Sequence, residues 1–236
     1  MVNYKKSKSI NINMNIKKTT GQIISKKRVA DHGEVFTAKR EVNAMLDLVK
    51  QETERIDSRF FEPACGTGNF LVKVLERKLE IVKDRYSKNQ LEYERYAILA
   101  LSSIYGVDIL EDNVKTCRDR LLGIFTHYYL AIYKKKFIPK CLASAEFVLK
   151  RNILWGDALS LKTPDEKALP IIFSEWSAVN GSMMKRRDYT LANLLESQPM
   201  EGLNLFSDLG DLAFIPKTIA EFPLTHFLKI NQYDTD

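Results

Sequence analysis

A short segment between a predicted strand and a predicted helix constrains this chain more than any other part of it. The run from Phe61 to Phe70 reads Phe-Glu-Pro-Ala-Cys-Gly-Thr-Gly-Asn-Phe, with apolar strand residues before it and helical spacing after it. Two glycines this close together permit unusual backbone angles and let a ligand approach the main chain. The first turn of the helix offers free N–H groups, which favour a negatively charged ligand. The segment therefore predicts a nucleotide-type cofactor site.

Length and composition indicate a globular protein with one substantial core. The chain has 236 residues, and 45% of them are hydrophobic. No run of about 18 apolar residues occurs, so we expect no membrane span. Cys65, Cys117 and Cys141 are scattered without metal-ligand spacing, which favours a reducing, cytoplasmic setting and no zinc site.

Basic residues are concentrated at the N-terminus. Residues 1–30 contain eight Lys or Arg and no acid, so the rest of the chain carries about −2 of the net charge of +6. We expect residues 1–27 to form a flexible basic arm. Such an arm either contacts the phosphates of a nucleic acid or is a solvated tail, and the sequence leaves both interpretations open.

Two later strand-like segments also end at an acid. Ser103–Ile109 has the composition of a buried parallel strand that stops at Asp108, where a carboxylate can accept hydrogen bonds from both hydroxyls of a ribose. Asn152–Leu159 approaches Asp157 in the same way. Phe125–Lys140, between them, interleaves aromatic residues with lysines. It is either a base-stacking surface or the half-buried face of a helix with lysines at its rim.

The run Glu62–Phe70 resembles the first motif of the S-adenosyl-methionine-dependent DNA methyltransferases that modify adenine, where it cradles the methionine part of the cofactor. A dinucleotide site fits less well, because Leu71 stands where Gly-x-Gly-x-x-Gly requires its third glycine. Gly33–Thr37, followed by a helix, is similar to the tenth motif of the same family, placed before the first as in its gamma arrangement. Ala38 replaces the usual proline after this motif.

The resemblance extends to the acids that end the later strands. Asp108 and Ile109 resemble the second-motif residues that hold the ribose and stack on the adenine ring. Asp157 resembles the third-motif acid that accepts from the exocyclic amine of the cofactor. The cofactor-binding residues that the resemblance implies are Phe36, Thr37, Glu62, Pro63, Ala64, Cys65, Gly66, Gly68, Asn69, Asp108, Ile109, Asp157 and Ala158.

The family also implies a fold and a domain organisation. The expected fold is α/β, a Rossmann-like class I methyltransferase fold. It is a three-layer sandwich around a mainly parallel sheet, shortened at its C-terminal strands. Residues 28–176 would form the cofactor-binding domain. Residues 177–236 would form a C-terminal extension whose aromatic content favours contact with a partner or a second copy.

The chemistry of the family depends on Asn-Pro-Pro-Tyr or Asp-Pro-Pro-Tyr after the fourth strand, and no such tetrapeptide occurs in this sequence. The corresponding place is Leu169–Trp176, a predicted fourth strand. In an enzyme, Glu175 would accept from the amine of a flipped adenine and Trp176 would stack on the base. Ser174, Glu175 and Trp176 are therefore the candidate catalytic residues. The alternative is a strand end at which Trp176 is a packing residue.

Three functions remain open at this stage. The first is an adenine-specific DNA methyltransferase, or the modification subunit of a restriction–modification system, with S-adenosyl-methionine as cofactor. The second is a catalytically inactive S-adenosyl-methionine-binding module that scaffolds or regulates such a system. The third is a methyltransferase for RNA or protein. The expected partners are duplex DNA and a partner subunit or second copy, with no membrane.

Overall fold

The structure, a computed structural model, describes Arg28, residues 37–196 and residues 217–233. The basic arm expected over residues 1–27 lies outside these residues, as does Phe36. The described residues from Thr37 onward form one compact unit.

Helices and strands of the described part alternate only in its first half. The helices are α1 (Lys39–Leu48), α2 (Lys50–Thr53), α3 (Asn69–Tyr86), α4 (Gln90–Ser102), α5 (Glu111–Tyr133), α6 (Pro139–Asn152) and α7 (Leu191–Glu196), with 3₁₀ turns at Lys134–Lys136 and Phe227–Tyr233. The strands are β1 (Phe60–Glu62), β2 (Ile104–Asp108), β3 (Ile153–Trp155), β4 (Ile172–Ala178), β5 (Met183–Thr190), β6 (Ala220–Glu221) and β7 (Thr225–His226).

The first three strands form a parallel sheet in the order β1-β2-β3. Phe61 pairs with Tyr105, and Val107 pairs with Leu154. Parallel neighbours need long crossover connections, and each one here contains two helices: α3 and α4 between β1 and β2, then α5 and α6 between β2 and β3. The expected α/β class is confirmed in this part of the chain.

Different elements pack against the two faces of the parallel sheet. Phe60, Ile104 and Ile153 face a large apolar cluster to which α3, α4, α5 and α6 all contribute buried side chains. On the opposite face, Val107 packs in a smaller cluster with Phe173 of β4. Alternate residues of a strand point to opposite faces, which is why the even-numbered residues of β2 meet helices and the odd-numbered ones meet β4.

The predicted fourth strand does form, but it does not extend the parallel sheet. Within the described residues, β4 pairs antiparallel with β5, and short strands β6 and β7 pair with the other edge of β5. The ring of Phe173 lies 5.8 Å from that of Phe61 and 5.6 Å from that of Tyr105, so β4 crosses the face of the parallel sheet. A single mainly parallel sheet is therefore not what the described residues form.

The boundary expected after residue 176 falls inside β4, which runs on to Ala178 and into the hairpin with β5. The described residues of the expected C-terminal extension thus belong to the same compact unit as the parallel sheet. No helix within the described ranges is both long and apolar enough to cross a membrane.

Candidate functional site

The glycine-containing turn after β1 has the backbone that its sequence predicts. Gly66 and Gly68 have φ of 51° and 83°, in the left-handed region that glycine tolerates. The N–H of Gly68 donates to the carbonyl of Cys65 at 2.8 Å, and α3 begins at the next residue. A Cβ added at Gly68 would lie 2.6 Å from Cys117 Sγ, so this position requires glycine for space as well as for conformation.

Asp108 joins the turn to the middle strand of the sheet. Its Oδ2 accepts the N–H of Gly66 at 2.7 Å, and its Oδ1 accepts the N–H of Leu110 at 2.9 Å and the amide of Asn113 at 3.2 Å. The side chain is buried. A carboxylate offers about four acceptor positions, so these bonds leave Oδ2 with one position for a further donor. The carboxylate of Asp108 can therefore accept one further hydrogen bond, whereas the sequence predicted that it would accept from both hydroxyls of a ribose.

The end of β3 is tied to the same carboxylate-bearing residue. The N–H of Gly156 donates to the carbonyl of Asp108 at 3.0 Å, and the indole N–H of Trp155 donates to the carbonyl of Ile109 at 3.0 Å. The carboxyl ends of all three parallel strands thus meet at Asp108, in the place where open α/β sheets bind ligands. We call this side of the sheet the carboxyl edge.

Asp157 lies just beyond β3 and is partly exposed. Its carboxylate accepts the backbone N–H of Leu159 at 2.9 Å and that of Ser160 at 3.3 Å. These hydrogen bonds, the one from Leu159 foremost, hold the pKa of Asp157 below its usual value. The side chain is therefore an ionised acceptor that its own turn keeps in place.

The remaining predicted residues of this edge differ in exposure. Glu62 at the end of β1 is half-buried, and burial raises the pKa of its carboxyl group. Ile109 is 46% exposed, which leaves an apolar surface beside Asp108. Cys65 is buried beneath the turn, Ala158 is half-buried, and Pro63 and Ala64 are exposed.

Helix α1 brings Thr37 to the same edge. The amide of Asn69 donates to the carbonyl of Thr37 at 3.4 Å. Arg77 of α3 donates to the carboxylate of Asp47 at 2.6 Å and to the carbonyl of Asn43 at 3.3 Å, which fixes α1 against α3. Thr37, the described residue of the segment Gly33–Thr37, therefore lies beside the glycine turn.

Arg120 of α5 is a residue of this site that the sequence analysis missed. Its guanidinium donates to the carbonyl of Thr67 at 2.5 Å, to the hydroxyl of Thr67 at 3.0 Å and to Oδ1 of Asn69 at 2.9 Å. Burial lowers its pKa slightly from the ordinary arginine value. A signal for it existed, because Arg120 follows the inward-facing Cys117 by three residues and so lies on the same side of a helix.

The three candidate catalytic residues are not at the carboxyl edge, and here the prediction needs correction. Glu175 accepts from Arg59, the residue before β1, at 2.5 Å. The indole N–H of Trp176 donates to Asn152, the residue before β3, at 3.0 Å. Parallel strands begin at one edge of their sheet and end at the other, so Glu175 and Trp176 lie at the amino edge, away from the glycine turn.

Ser174 is buried within the β4–β5 hairpin and has its partners there. Its hydroxyl donates to Asp188 Oδ1 at 2.7 Å and accepts from Arg186 Nε at 3.1 Å. Arg186 and Asp188 form a buried bidentate ion pair, with the second bond at 2.7 Å. Trp176 is 5% exposed and packs edge-on against Phe147. These side chains fill the core of the molecule, which is what the packing alternative predicted.

The carboxyl edge can hold a polar ligand, and its described residues offer no substitute for the missing tetrapeptide. It combines a glycine turn with left-handed backbone, acceptors on three acids and an apolar surface at Ile109. No cluster of His, Cys, Asp or Glu suited to a metal ion occurs among the described residues. Comparisons with protein-family models, curated proteins and solved structures found no match for the chain.

Proposed function

We propose that this chain binds S-adenosyl-methionine at the carboxyl edge of its parallel sheet, as a module of the adenine-specific DNA methyltransferase kind. The observation that carries the proposal is the convergence on Asp108 of the glycine turn and the ends of β2 and β3. A Rossmann-like methyltransferase fold shortened after its third strand is the fold we infer for this half of the chain.

The residues present fit the parts of this cofactor. The amino-acid end of the ligand would lie at the turn beside Gly66, which is half-buried, whereas Gly68 is buried. Asp108 Oδ2 has an acceptor position for one ribose hydroxyl, and Asp157 is a fixed acceptor for the exocyclic amine. Ile109 offers an apolar surface for the adenine ring. The bound cofactor would supply an electrophilic methyl group, and the chain would supply its orientation.

A second candidate is a catalytically inactive module that binds the same cofactor and scaffolds or regulates a modification system. It is favoured by the position of Glu175 and Trp176 at the amino edge, where neither reaches a ligand on the glycine turn. In this version, the acceptors for a target amine come from another chain. A methyltransferase for RNA or protein shares the cofactor residues and differs only in its acceptor substrate.

Calorimetric titration of the full chain with S-adenosyl-methionine tests the cofactor, and methyl transfer to adenine-containing duplex DNA in the same preparation tests the reaction. Binding with transfer supports the enzyme, and binding without transfer supports the module that needs a partner. The absence of binding in a folded preparation rejects both. RNA and a protein extract serve as alternative acceptors in the transfer assay.

A further inference from the structure

The turn that follows α5 has a strained backbone. The helix ends at Tyr133, and Lys134 has φ of 45° and ψ of −114°, a region that residues with a Cβ rarely adopt. Such strain costs about 1–3 kcal/mol and persists only where the surroundings impose it. Lys134–Lys136 then forms a 3₁₀ turn of three consecutive lysines before α6 begins at Pro139.

A buried polar network holds this turn in place. The amide of Gln90 donates to the carbonyl of Lys136 at 2.7 Å and to Glu94 Oε1 at 2.8 Å. Glu94 is fully buried and also accepts the hydroxyl of Tyr129. That hydroxyl in turn accepts the N–H of Ile138 at 2.8 Å. These bonds fix the C-terminal end of the lysine segment to the helical core, and at its start the N–H of Lys134 donates to the carbonyl of Leu130, so the lysine backbone is positioned before any partner arrives.

The connection between α3 and α4, which carries Lys88, lies beside this turn. The hydroxyl of Tyr133 donates to the carbonyl of Ser87 at 2.9 Å, which brings the α3–α4 connection beside the turn. Lys88 and Lys140 are exposed, as are Lys134, Lys135 and Lys136. We call these five residues the lysine turn. None of the five forms an ion pair with an acid of the described residues, whereas Lys50, Lys73, Lys83, Lys150 and Lys185 do.

We infer that the lysine turn binds the phosphate backbone of a nucleic acid. Five exposed ammonium groups on a fixed backbone, without acidic partners, create a local positive potential that favours binding of a polyanion. Phe125 and Tyr129 of the same stretch are buried and cannot stack on bases, and Phe137 is 37% exposed. Recognition is therefore by charge along the backbone and is independent of base sequence.

The lysine turn is remote from the carboxyl edge. Helix α3 begins at the glycine turn and ends at Tyr86, two residues before Lys88, and its 18 residues span ~27 Å. The contact is therefore separate from the candidate cofactor site and does not depend on cofactor binding. In a complex with duplex DNA it would hold phosphates well away from the base that lies at the carboxyl edge.

The surroundings of the lysine turn favour a nucleic acid over a lipid surface. Stable membrane binding by a basic segment needs an accompanying apolar anchor. Of the described side chains between Tyr133 and Lys140, Phe137 is the large apolar one that is exposed, at 37%, and Ile138 is half-buried. Phe137 and, near Lys88, Leu91 at 47% exposure are single side chains on different elements and make a weak anchor, while the phosphates of a nucleic acid match five exposed lysines without acidic partners.

Binding of the full chain to a short fluorescent DNA duplex of arbitrary sequence, without cofactor, tests the inference. Affinity is measured by anisotropy from about 50 to 200 mM salt. The variant with Lys134→Gln, Lys135→Gln and Lys136→Gln should bind about tenfold more weakly at low salt. It should also lower the slope of log affinity against log salt by about 2–3. The pair Lys88→Gln and Lys140→Gln provides a second, independent variant.

The matched control is Lys167→Gln, Lys217→Gln and Lys229→Gln, which removes the same charge from exposed lysines elsewhere. It should keep the wild-type slope, and the basic residues 1–30 contribute equally to every variant. The inference is overturned if both triple variants lose affinity equally, if the lysine-turn variants bind duplex like the wild type, or if the chain prefers anionic vesicles to DNA. Cofactor titration of the same preparations reports the proposed function separately.

Discussion

Polar residues at the two edges of the parallel sheet differ in how much of their hydrogen-bonding capacity is used within the protein. At the carboxyl edge, Asp108 Oδ2 and the carboxylate of Asp157 keep acceptor capacity beside a turn in which Pro63 and Ala64 are exposed. At the amino edge, Lys78 is fully buried and its ammonium donates to the carbonyl of Ile56 at 3.0 Å, to the carbonyl of Ser58, and to the hydroxyl of Ser103 at 2.7 Å.

The amino edge continues this pattern on β4. The amide of Asn152 donates to the carbonyls of Ser102 at 3.0 Å and Ile104 at 3.2 Å, and its oxygen accepts from Trp176. Every donor of these side chains has a partner within the protein. The comparison shows that residue type alone does not distinguish a ligand-binding side chain from one that stabilises the fold. What distinguishes them is whether hydrogen-bonding capacity near solvent is left unused. Changes at the amino edge should therefore affect stability, and changes at the carboxyl edge should affect cofactor affinity.

The largest effect should come from Trp176→Ala. Removing a buried ring that packs on Phe147 should lower the free energy of unfolding by about 3–5 kcal/mol, measured by denaturant titration. Trp176→Phe, which keeps most of the volume, serves as the control and should cost less. A Trp176→Ala protein with unchanged stability but abolished methyl transfer would restore the catalytic interpretation.

Asp108→Ala should weaken S-adenosyl-methionine binding by about 100-fold, equal to ~2.7 kcal/mol. Because this side chain joins the turn to β2, stability should also fall, by about 1–3 kcal/mol. Calorimetry below the melting temperature separates the two effects. Asp84→Ala, at an exposed acid near the far end of α3, should change neither quantity. Wild-type affinity in Asp108→Ala would show that the ribose does not lie there.

Gly68→Ala should destabilise the turn by about 2 kcal/mol, because alanine is strained at a φ of 83° and its Cβ meets Cys117 Sγ. Thermal unfolding measures the loss. Gly123→Ala is the matched control, since a Cβ at Gly123 meets nothing within 4 Å and the residue lies inside α5. There alanine should stabilise by about 0.5–1 kcal/mol. Equal effects at the two glycines would contradict the geometry of the turn.

Lys78 should make stability depend on pH. Burial lowers its folded pKa from 10.5 to about 7. The unfolded chain therefore binds one more proton between these values, and the free energy of unfolding rises as pH increases through 7. Between pH 6 and 8 the rise should be roughly 1.4 kcal/mol. In Lys78→Met this component should disappear, while the contributions of other titrating groups stay. If the free energies of unfolding of the two proteins changed with pH by the same amount, this contribution of Lys78 would be excluded.

The smallest effect should come from Arg120→Lys. Lysine keeps the charge, but its ammonium falls one bond short of Nη1, the nitrogen that bonds Thr67 and Asn69. Cofactor affinity should therefore fall about fivefold while the melting temperature changes little. Calorimetric titration measures the change. Arg118→Lys on the same helix, where the guanidinium instead bonds the carbonyl of Ile153, should leave affinity unchanged. A loss of affinity in Arg118→Lys alone would reverse the assignment.

The sequence predicted the elements of the carboxyl edge because each is specified locally. Gly66 and Gly68 mark a turn by their backbone freedom, and Asp108 and Asp157 follow short runs of strand residues. Arg120 was missed because a basic residue in an amphipathic helix looks like a surface residue until the turn that it bonds is placed. The role of β4 was mistaken for a similar reason, since Phe173–Trp176 has the same strand propensity in a parallel sheet as in a hairpin.

The sequence by itself determined the α/β character, the first three strands with helices between them, and the position of the glycine turn. Backbone conformation and hydrophobic periodicity act over a few residues, and these features depend on little else. Only the tertiary structure decided that β4 pairs with β5 and not with the parallel sheet. It also decided that Ser174, Glu175 and Trp176 are supports and that five lysines from two connections form one surface. Strand pairing and hydrogen bonding at these residues depend on which groups lie nearby in the folded chain. Groups distant in sequence are brought together by tertiary packing, which local sequence patterns do not specify.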